Sequence, residues 1–506
     1  MSTSEDPYAP EGDPRLLPVP LSTTSVWQQS VALDPLILSN STTPLPESAD
    51  IVVVGGGLCG ALLAWELLQR TSGNVVLLEA RELASGASGR NAGHCRPDAG
   101  RGFGMFANVH GEEQARAILN SERTVFERVD RFIHKHKIEC EWQKRETYDV
   151  CLTEDFAAYS QQANDAFAQA GGHPPAPLGK EGAQKAARSQ SAVEAYGWEA
   201  ATLNPAELTL AIHKLCKDTE RYDAFTFCPV LGLTPGVNPD VLIRPDPDVE
   251  SREATDPAET PGCAGWTVAT ARGSVRARKV VLATNGYTNS VMPMGIVPVQ
   301  AQAHLLSSPT PHLDSSYSLR RSMKEFYSVA PRPDGTVVLG VSRLGWPEEL
   351  LRQAVGNVDD STWNATIAAQ GLNAISDAWP NGPWKHAKPG DLHPPPAGVS
   401  IKTATERKEV EVDGLECAWT GIIGITNDLV PVVGPVPEKD NLFVAAGYNG
   451  HGMARIFVTA PALATRIASG KWREEDGMPE CFRLTPERFA RLTADLSPSA
   501  KPSPAA

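Results

Sequence analysis

Apolar and polar residues alternate in blocks along this chain, and the blocks mark its elements. Ile51-Val52-Val53-Val54 is wholly apolar, as a strand buried on both faces would be. It runs into Gly55-Gly56-Gly57-Leu58-Cys59-Gly60, then an apolar helical stretch from Ala61 to Leu68. Thr71-Ser72-Gly73 breaks that helix, and a second apolar run, Val75-Val76-Leu77-Leu78, ends on Glu79. From Glu112 to Lys137 the period changes to that of one long amphipathic helix. Ala115, Ile118, Phe126, Val129, Phe132 and Ile133 form its stripe, while Arg116, Arg123, Glu127 and Arg131 fall largely off it. Trp142 to Leu152 reads as a strand, Asp155 to Ala187 as helix in pieces, and Asn204-Pro205 as the start of a helix reaching about Lys217. Two strands follow, Gly265 to Thr270 and Lys279 to Ala283. The second opens into Thr284-Asn285-Gly286-Tyr287, as a buried parallel strand feeding a ligand loop would. Ile296 to Leu306, Phe326 to Ala330 and Thr336 to Val341 read as strands of a separate sheet, with Asp334-Gly335 as a hairpin turn. Asn441 to Ala446 is a last strand, leading through Gly447-Tyr448-Asn449-Gly450-His451-Gly452-Met453 into a helix from Ala454 to Ser469. The remainder is irregular. Met1 to Glu47 is a Pro- and Ser-rich arm, expected to be ordered only in part, with Trp27 as its anchor. Pro235 to Gly262 reads as an acidic surface insertion, Pro394-Pro395-Pro396 as a linker, and the tail beyond Thr493 as disordered.

The first of these blocks carries chemistry. Strand, glycine turn, helix and second strand fall at the spacing of a dinucleotide-binding βαβ unit. Gly55 lets the chain turn, Gly57 lets the backbone approach a pyrophosphate, and Gly60 lets the helix pack on the sheet. Unpaired amides at the helix N-terminus would face the phosphates. Glu79, closing the second strand, can accept both ribose hydroxyls and would repel a 2′-phosphate, which argues against NADP. A second glycine-rich loop, Ser85 to His94, stands where a simple NAD enzyme would return to a third strand. The strand–loop–helix unit at 441–469 lies at the far end of the chain. Together the three loops call for an elongated cofactor with a second half to hold.

Composition narrows the partners. The formal net charge is -14, so nucleic acid and anionic membrane are excluded as expected partners. The apolar stretch from Ile51 to Leu68 contains three consecutive glycines and Glu66 and is flanked by Asp50 and Arg70, which argues against a membrane span. Nine cysteines without C-x-x-C pairs suggest reduced thiols, and the polar N-terminus lacks an apolar signal core, so a cytoplasmic protein is expected. His134 and His136 lie on different faces of their helix, and no metal site is expected there.

The stretches Ala49 to Glu79, Gly86 to Gly93, Val281 to Asn289, Thr420 to Gly434 and Ala445 to Gly452 together resemble the D-amino-acid oxidase and glycine oxidase superfamily of FAD-dependent oxidoreductases. Within it, the likeness is greatest to the γ-glutamylputrescine oxidoreductase-like members. The resemblance implies α/β plus α+β architecture: a discontinuous Rossmann-like FAD-binding domain (49–100, 200–290, 415–475) and an antiparallel-sheet substrate domain (101–199, 291–414). An arm (1–48) and a tail (476–506) flank them. It implies that Gly55, Gly57, Leu58, Gly60, Glu79 and Ala80 hold the ADP half. Ser88, Gly89, Arg90, Asn91 and Gly93 would lie along the ribityl chain and flavin, with Thr284, Asn285 and Gly286 beside them. Gly450, His451, Gly452 and Met453 would sit beneath the isoalloxazine. His94 and His451 are the candidate catalytic residues, Tyr287 and Tyr448 could line the pocket, and Arg96 could meet a substrate anion or form a surface salt bridge. Asp428, in a loop expected near the flavin, is a further candidate base. The reaction implied is oxidation of a C–N bond in an amine or amino acid, by hydride transfer to flavin N5, with the imine then hydrolysed and O2 as reoxidant. A dehydrogenase using another acceptor, or a flavin-fold binding protein without turnover, is the alternative. Two lysines of the sarcosine-oxidase-type relatives are replaced here, one by Ala454 and the other near Val338. Their flavin-linking cysteine falls near Gly421, which implies non-covalent FAD; Cys417 stands too early to replace it, and Cys95 and His94 are the other candidates for attachment.

Overall fold

A computed structural model of the chain describes residues 11–236, 265–342, 345–395 and 412–494. Its strands form two eight-stranded sheets. The first contains β1 (Ser48–Val54), β2 (Val75–Leu78), β6 (Tyr222–Phe225), β7 (Val230–Gly236), β8 (Gly265–Thr270), β9 (Gly273–Leu282), β15 (Val432–Pro435) and β16 (Leu442–Ala446). The second contains β3 (His94–Cys95), β4 (Gln143–Cys151), β5 (Glu194–Thr202), β10 (Val297–Leu306), β11 (Ser316–Arg320), β12 (Phe326–Pro331), β13 (Val337–Val341) and β14 (Leu415–Ile425).

In the first sheet β1 is central. It pairs in parallel with β2 on one side, Val53 opposite Leu77, and with β9 on the other, Val53 opposite Val281. β16 then adds in parallel to β9, so both glycine-loop units of the sequence leave the sheet from its carboxyl edge. Four helices cover one face: α2 (Leu58–Arg70), α4 (Glu112–His136), α7 (Pro205–Lys217) and α10 (Ile456–Ser469). Leu63, Leu67, Ile118, Phe126, Ile212 and Leu463 join them in a single core. α1 (Val26–Ser30) and α3 (Phe103–His110) edge that core through Trp27, Phe103 and Phe106. α7 begins where the sequence placed it because the Asn204 carboxamide oxygen accepts the Ala206 and Glu207 amides. The other face of the sheet is closed by the β7–β8 hairpin and α11 (Pro486–Ala494), with Trp266, Val268 and Leu492 in a separate core.

Along the second sheet, α6 (Gly179–Ala187), α8 (Glu348–Ala354) and α9 (Ala365–Ala378) contribute Ala183, Ala354 and Leu372 to its core, and α5 (Glu154–Gln169) lies against β4 and β5. The sheet is antiparallel except at one seam, where β11 runs parallel to β4. Period-2 patterning fixes which face a strand buries, not which distant strand it pairs with or in which direction. β14 runs its length antiparallel to β10, so the 415–475 stretch supplies a strand to this second sheet before returning to the first.

Three readings of the sequence need correction. The arm is far better packed than its composition suggests: Trp27 is 1% exposed, its indole N–H donates to Asn91 O at 2.7 Å, and Ser25 closes a capping box on α1. The last helix starts at Ile456 rather than Ala454, because Gly452–Ala454 forms a 3₁₀ turn first. The stretch after 475 is built in, with Arg488 5% exposed and Phe482 fully buried. Most of the acidic insertion (237–264), Pro396 of the linker and the tail beyond 494 lie outside the described residues. Among the described residues no helix is long and apolar enough to cross a membrane.

Candidate active site

A cavity of about 520 Å³ opens between the two sheets. One wall is made by the loops at the carboxyl edge of the first sheet, and the other by the polar face of the second sheet. The glycine turn is held by two carboxylate bonds. Glu79 Oε2 accepts the Gly56 amide at 2.6 Å and Oε1 accepts the Arg81 amide at 2.9 Å. Burial raises the pKa of this carboxyl, and those two backbone donors work against the rise. Beneath the turn, buried His213 of α7 donates from Nε2 to Gly56 O at 3.1 Å while its Nδ1 faces the Tyr222 hydroxyl at 2.6 Å. At the start of α2, Ser88 Oγ accepts the Leu58 amide at 2.7 Å. A Cβ added to Gly57 would stand 2.8 Å from that same oxygen, so the turn and the second loop form one cradle.

The third loop joins the first two through side chains. Asn285, in the left-handed region at φ 45°, accepts the Tyr448 amide at 3.1 Å. Asn449 (φ 54°) receives the Thr426 amide and donates to Thr426 Oγ1 at 3.0 Å. His451 faces the cavity with Nδ1 against Asn449 O at 3.0 Å; its ring surface is exposed to that opening, but desolvation by the surrounding walls and then the nearby Arg455 charge lower its pKa. His94 also faces the cavity, and its buried Nε2 has no partner among the described residues. Burial, then Arg96 and Arg145, lower its pKa to about 3. Both imidazoles are therefore neutral near pH 7, equipped to hydrogen-bond rather than to carry charge.

The remaining sequence-read positions divide. Gly55, Gly57, Leu58, Glu79, Ala80, Ser88, Arg90, Asn91, Thr284, Asn285, Gly450, His451, Gly452 and Met453 all line the cavity. Gly60, Gly89, Gly93 and Gly286 do not; they pack behind it, and a Cβ on Gly93 would stand 2.7 Å from Leu203 O. Tyr287 lines the wall with a buried hydroxyl that has no partner among the described residues. The Tyr448 hydroxyl is satisfied internally, by Cys59 Sγ at 3.2 Å and Thr459 Oγ1 at 2.9 Å. Asp428 is not a free base. Arg488 grips both its oxygens, at 2.8 and 3.0 Å, and outweighs burial to hold its pKa down. Cys59 is in the wall, whereas Cys95 and Cys417 are not, and burial pushes the Cys59 thiol up to about 12.

The second sheet adds residues that pattern reading missed. Asp149 of β4 takes Arg96 NH2 at 2.9 Å, Arg101 Nε at 2.9 Å and Arg320 Nε at 3.4 Å. Burial works against its charge, but the three guanidinium groups outweigh it and hold the pKa well below the usual carboxylate range. Arg101 also meets Asp98 at 3.0 Å. Three cations on the cavity wall thus share two carboxylates, Asp98 in the wall and Asp149 behind it. Arg320 is 4% exposed, lies over the Phe326 ring at 4.1 Å, and its two terminal nitrogens have no protein hydrogen bond among the described residues. Burial, then Arg101, lowers its pKa to about 9. At the start of α10, Arg455 forms a fully buried pair with Glu122 of α4 at 3.2 Å. The Glu122 position lies on the apolar stripe of its helix, four residues from both Ile118 and Phe126, which was a signal available in the sequence. Of the arginines, Arg96 was a candidate in the sequence and does line the cavity, whereas Arg101 and Arg320 gave no such signal.

The buried histidines make a stability prediction. His213 and His304 are 1% and 0% exposed, and burial lowers their pKa values to about 4 and about 3. Below pH 6.5 the unfolded chain binds more protons than the folded one, so this contribution is complete above pH ~6.5 and is lost as pH falls toward 4. Each histidine is expected to cost about 2 kcal/mol at pH 5 relative to pH 7. Denaturant unfolding at the two pH values measures it, and equal midpoints would contradict it.

Comparison with known proteins follows this geometry. A probable oxidoreductase, OrdL, of Haemophilus influenzae is 32% identical over 98 residues, which are 19% of this chain and 22% of that protein. Glycine oxidase from Geobacillus kaustophilus superposes with a TM-score of 0.60 at 17% identity, covering 87% of this chain and 99% of that one. L-proline dehydrogenase from P. horikoshii gives 0.58 at 18% identity, over 88% and 99%. These likenesses to solved structures establish the fold. The family model for DAO, FAD dependent oxidoreductase, matches residues 50–466, from the first strand of the glycine-turn unit to the last turn but one of α10, and the chain belongs to that family.

Proposed function

We propose that the protein holds FAD non-covalently in this cavity and oxidises the C–N bond of a small amine or amino acid that carries an anionic group, with O2 as the final acceptor. The observation that carries the substrate class is the arginine-rich wall: three guanidinium groups, two carboxylates, and the unused nitrogens of Arg320. One positive charge is left over in a place shielded from water, where an anion is strongly favoured. The residues present fit the cofactor. The Gly57–Ser88 cradle leaves room for a diphosphate, Glu79 closes the strand beside it, and the neutral His94 and His451 face the other part of the cavity. FAD supplies, when bound, the hydride acceptor.

The chain's own residues have two tasks. Arg320 orients the substrate through its anionic group, held by Asp149 and by the ring of Phe326. The surplus cation nearby also disfavours an ammonium, so the amine binds as the neutral form that can be oxidised. His94 and His451 supply hydrogen-bonding groups without adding charge, and the apolar side chains of Met105, Phe106 and Ile423 exclude water. Anaerobic titration of the purified holoprotein is the test. Carboxylate-bearing amines are expected to bleach the flavin band near ~450 nm. Arg320→Met should weaken them by about 10- to 100-fold, the worth of one charge-assisted hydrogen bond. If polyamines, N-methyl amino acids and D-amino acids all leave the band unchanged, the proposed reaction is wrong; if uncharged amines act as well as anionic ones, the substrate class is wrong. Oxygen uptake against dye reduction separates an oxidase from a dehydrogenase.

A further inference from the structure

The family match begins at residue 50, yet the cavity wall begins at Leu17 and Pro18. The segment before β1 is tied down by a dense set of bonds to distant parts of the chain. Thr23 donates its amide to Asp360 O at 2.8 Å and its hydroxyl to the same oxygen at 2.9 Å. That hydroxyl accepts the Thr420 amide at 3.0 Å and Arg90 NH1 at 3.1 Å. Ser22 Oγ accepts Arg90 NH2, Ser25 Oγ donates to Gly89 O, and Val19 O accepts Arg81 NH1 at 3.3 Å. The segment therefore grips the second glycine loop, the start of the loop after Glu79, and β14 at once.

Under it lies a second buried charge cluster. Arg81 forks onto Asp360 at 2.9 and 3.0 Å, and Arg90 approaches the same carboxylate at 3.5 Å. Asp360 is fully buried, and Arg81 and Arg90 are 3% and 4% exposed. Arg81 Nε and the Tyr287 hydroxyl, both on residues of the cavity wall, are buried and have no partner among the described residues. Two buried cations share the Asp360 carboxylate, with Glu79 and Glu82 also near them, and the two unpartnered donors on cavity-wall residues, Arg81 Nε and the Tyr287 hydroxyl, suit an anionic ligand.

We infer that residues 11–25 are part of the dinucleotide site: a strap that closes over the nucleotide half, with Leu17 and Pro18 as its cover and Ser22, Thr23 and Ser25 as its fastening. Arg81 keeps one unpartnered nitrogen, Nε, for the anionic part of the same ligand, while Arg90, all of whose nitrogens are engaged, ties the strap to the second glycine loop and to β14. The inference rests on the proposal above that FAD binds here, and goes beyond it by assigning retention of the cofactor to a segment outside the family's shared region. A ligand covered in this way leaves only when the strap lifts, so fastening strength sets the dissociation rate.

The test starts from the full-length holoprotein. FAD release into flavin-free buffer is followed by recovery of free-flavin fluorescence, for the wild type, a chain lacking residues 1–24, Ser22→Ala/Thr23→Val, and Leu17→Gly/Pro18→Gly. Each variant is expected to release FAD at least ~10-fold faster, with melting in saturating FAD as the control for folding. Tryptic cleavage after exposed Arg15 gives a second readout, expected to be slowed by FAD in the wild type and not in the Ser22/Thr23 variant. If the truncated chain does not fold, the two substitution variants decide. Wild-type protein without flavin, and without flavin uptake, would remove the functional reading itself. Wild-type protein that keeps FAD, beside folded variants that release it at the same rate, would overturn the strap alone.

Discussion

Asp149→Asn is expected to lose about 3–5 kcal/mol of stability, the usual cost of removing one partner from a buried ion network. Asp149 is the shared counter-ion of Arg96, Arg101 and Arg320, and without its charge only Asp98 remains to face three guanidinium groups. The wild-type contribution persists down to acid pH. The folded pKa of Asp149 is depressed, so its stabilisation is complete above the unfolded value near 3.9 and is lost only as pH falls further. This separates it from the histidine effect, which develops between pH 6.5 and 4. The substitution should also weaken anionic amines, because Arg320 loses the group that aims it. Millimolar acetate is expected to raise the variant's melting temperature more than the wild type's, by restoring a negative charge between the arginines. A variant within ~1 kcal/mol of the wild type, indifferent to acetate, would show that the cluster is solvated rather than buried.

Gly60→Ala is expected to be comparably damaging for a steric reason. A Cβ at this position would overlap the carbonyl oxygen of Gly55 and stand 3.1 Å from its carbonyl carbon. Gly55 cannot yield, since it sits at φ +111° with its own α-carbon facing Ala283 O, 2.6 Å from where a Cβ would be. Backbone meets backbone here, so α2 must lift from β1, at a cost of about 3 kcal/mol or more. The turn that would take the diphosphate opens with it, and the purified variant should carry little flavin. Gly57→Ala is the matched control. Its Cβ meets only the Ser88 side chain, which can rotate by giving up the bond it accepts from the Leu58 amide, so only about 1 kcal/mol of stability should be lost while FAD binding weakens. Melting curves and flavin content decide both cases; stoichiometric flavin in Gly60→Ala with an unchanged melt would contradict the close-packing account.

The parts of this protein that were legible in its sequence are those specified locally. A strand, a glycine turn and a helix follow one another without interruption from Ile51 to Leu68, and the pattern of each is set by neighbours within a few residues. The same is true of the Asn204 cap and the Asp334-Gly335 hairpin. Of the arginine cluster only Arg96 was legible, because the Arg96–Arg101 segment is joined to Asp149 and Arg320 only by the fold, and an isolated charge in a polar stretch reads as surface until then. Arg96 and Asp149 are 53 positions apart, and Arg320 and Asp149 are 171 apart. The arm misled for the opposite reason. Serine, threonine and proline signal solvent when their partners are unknown, but Thr23 is 8% exposed and its partners stand 337 and 397 positions away. The start of α10 is displaced because Gly452–Ala454 forms a 3₁₀ turn and Arg455 then takes a non-helical φ of −135°, a break that the apolar spacing from Ala454 does not reveal.

The bond between Thr23 and Thr420 has a consequence for biosynthesis. The residue that leaves the ribosome first cannot find its seat until a strand made 397 positions later has emerged and paired with β10. The third glycine loop, Gly447 to Met453, emerges later still, so the cavity it helps to wall does not exist until the seat of the strap is already made. Loading with flavin is therefore expected to follow synthesis of these late segments rather than to accompany the emergence of the first glycine turn.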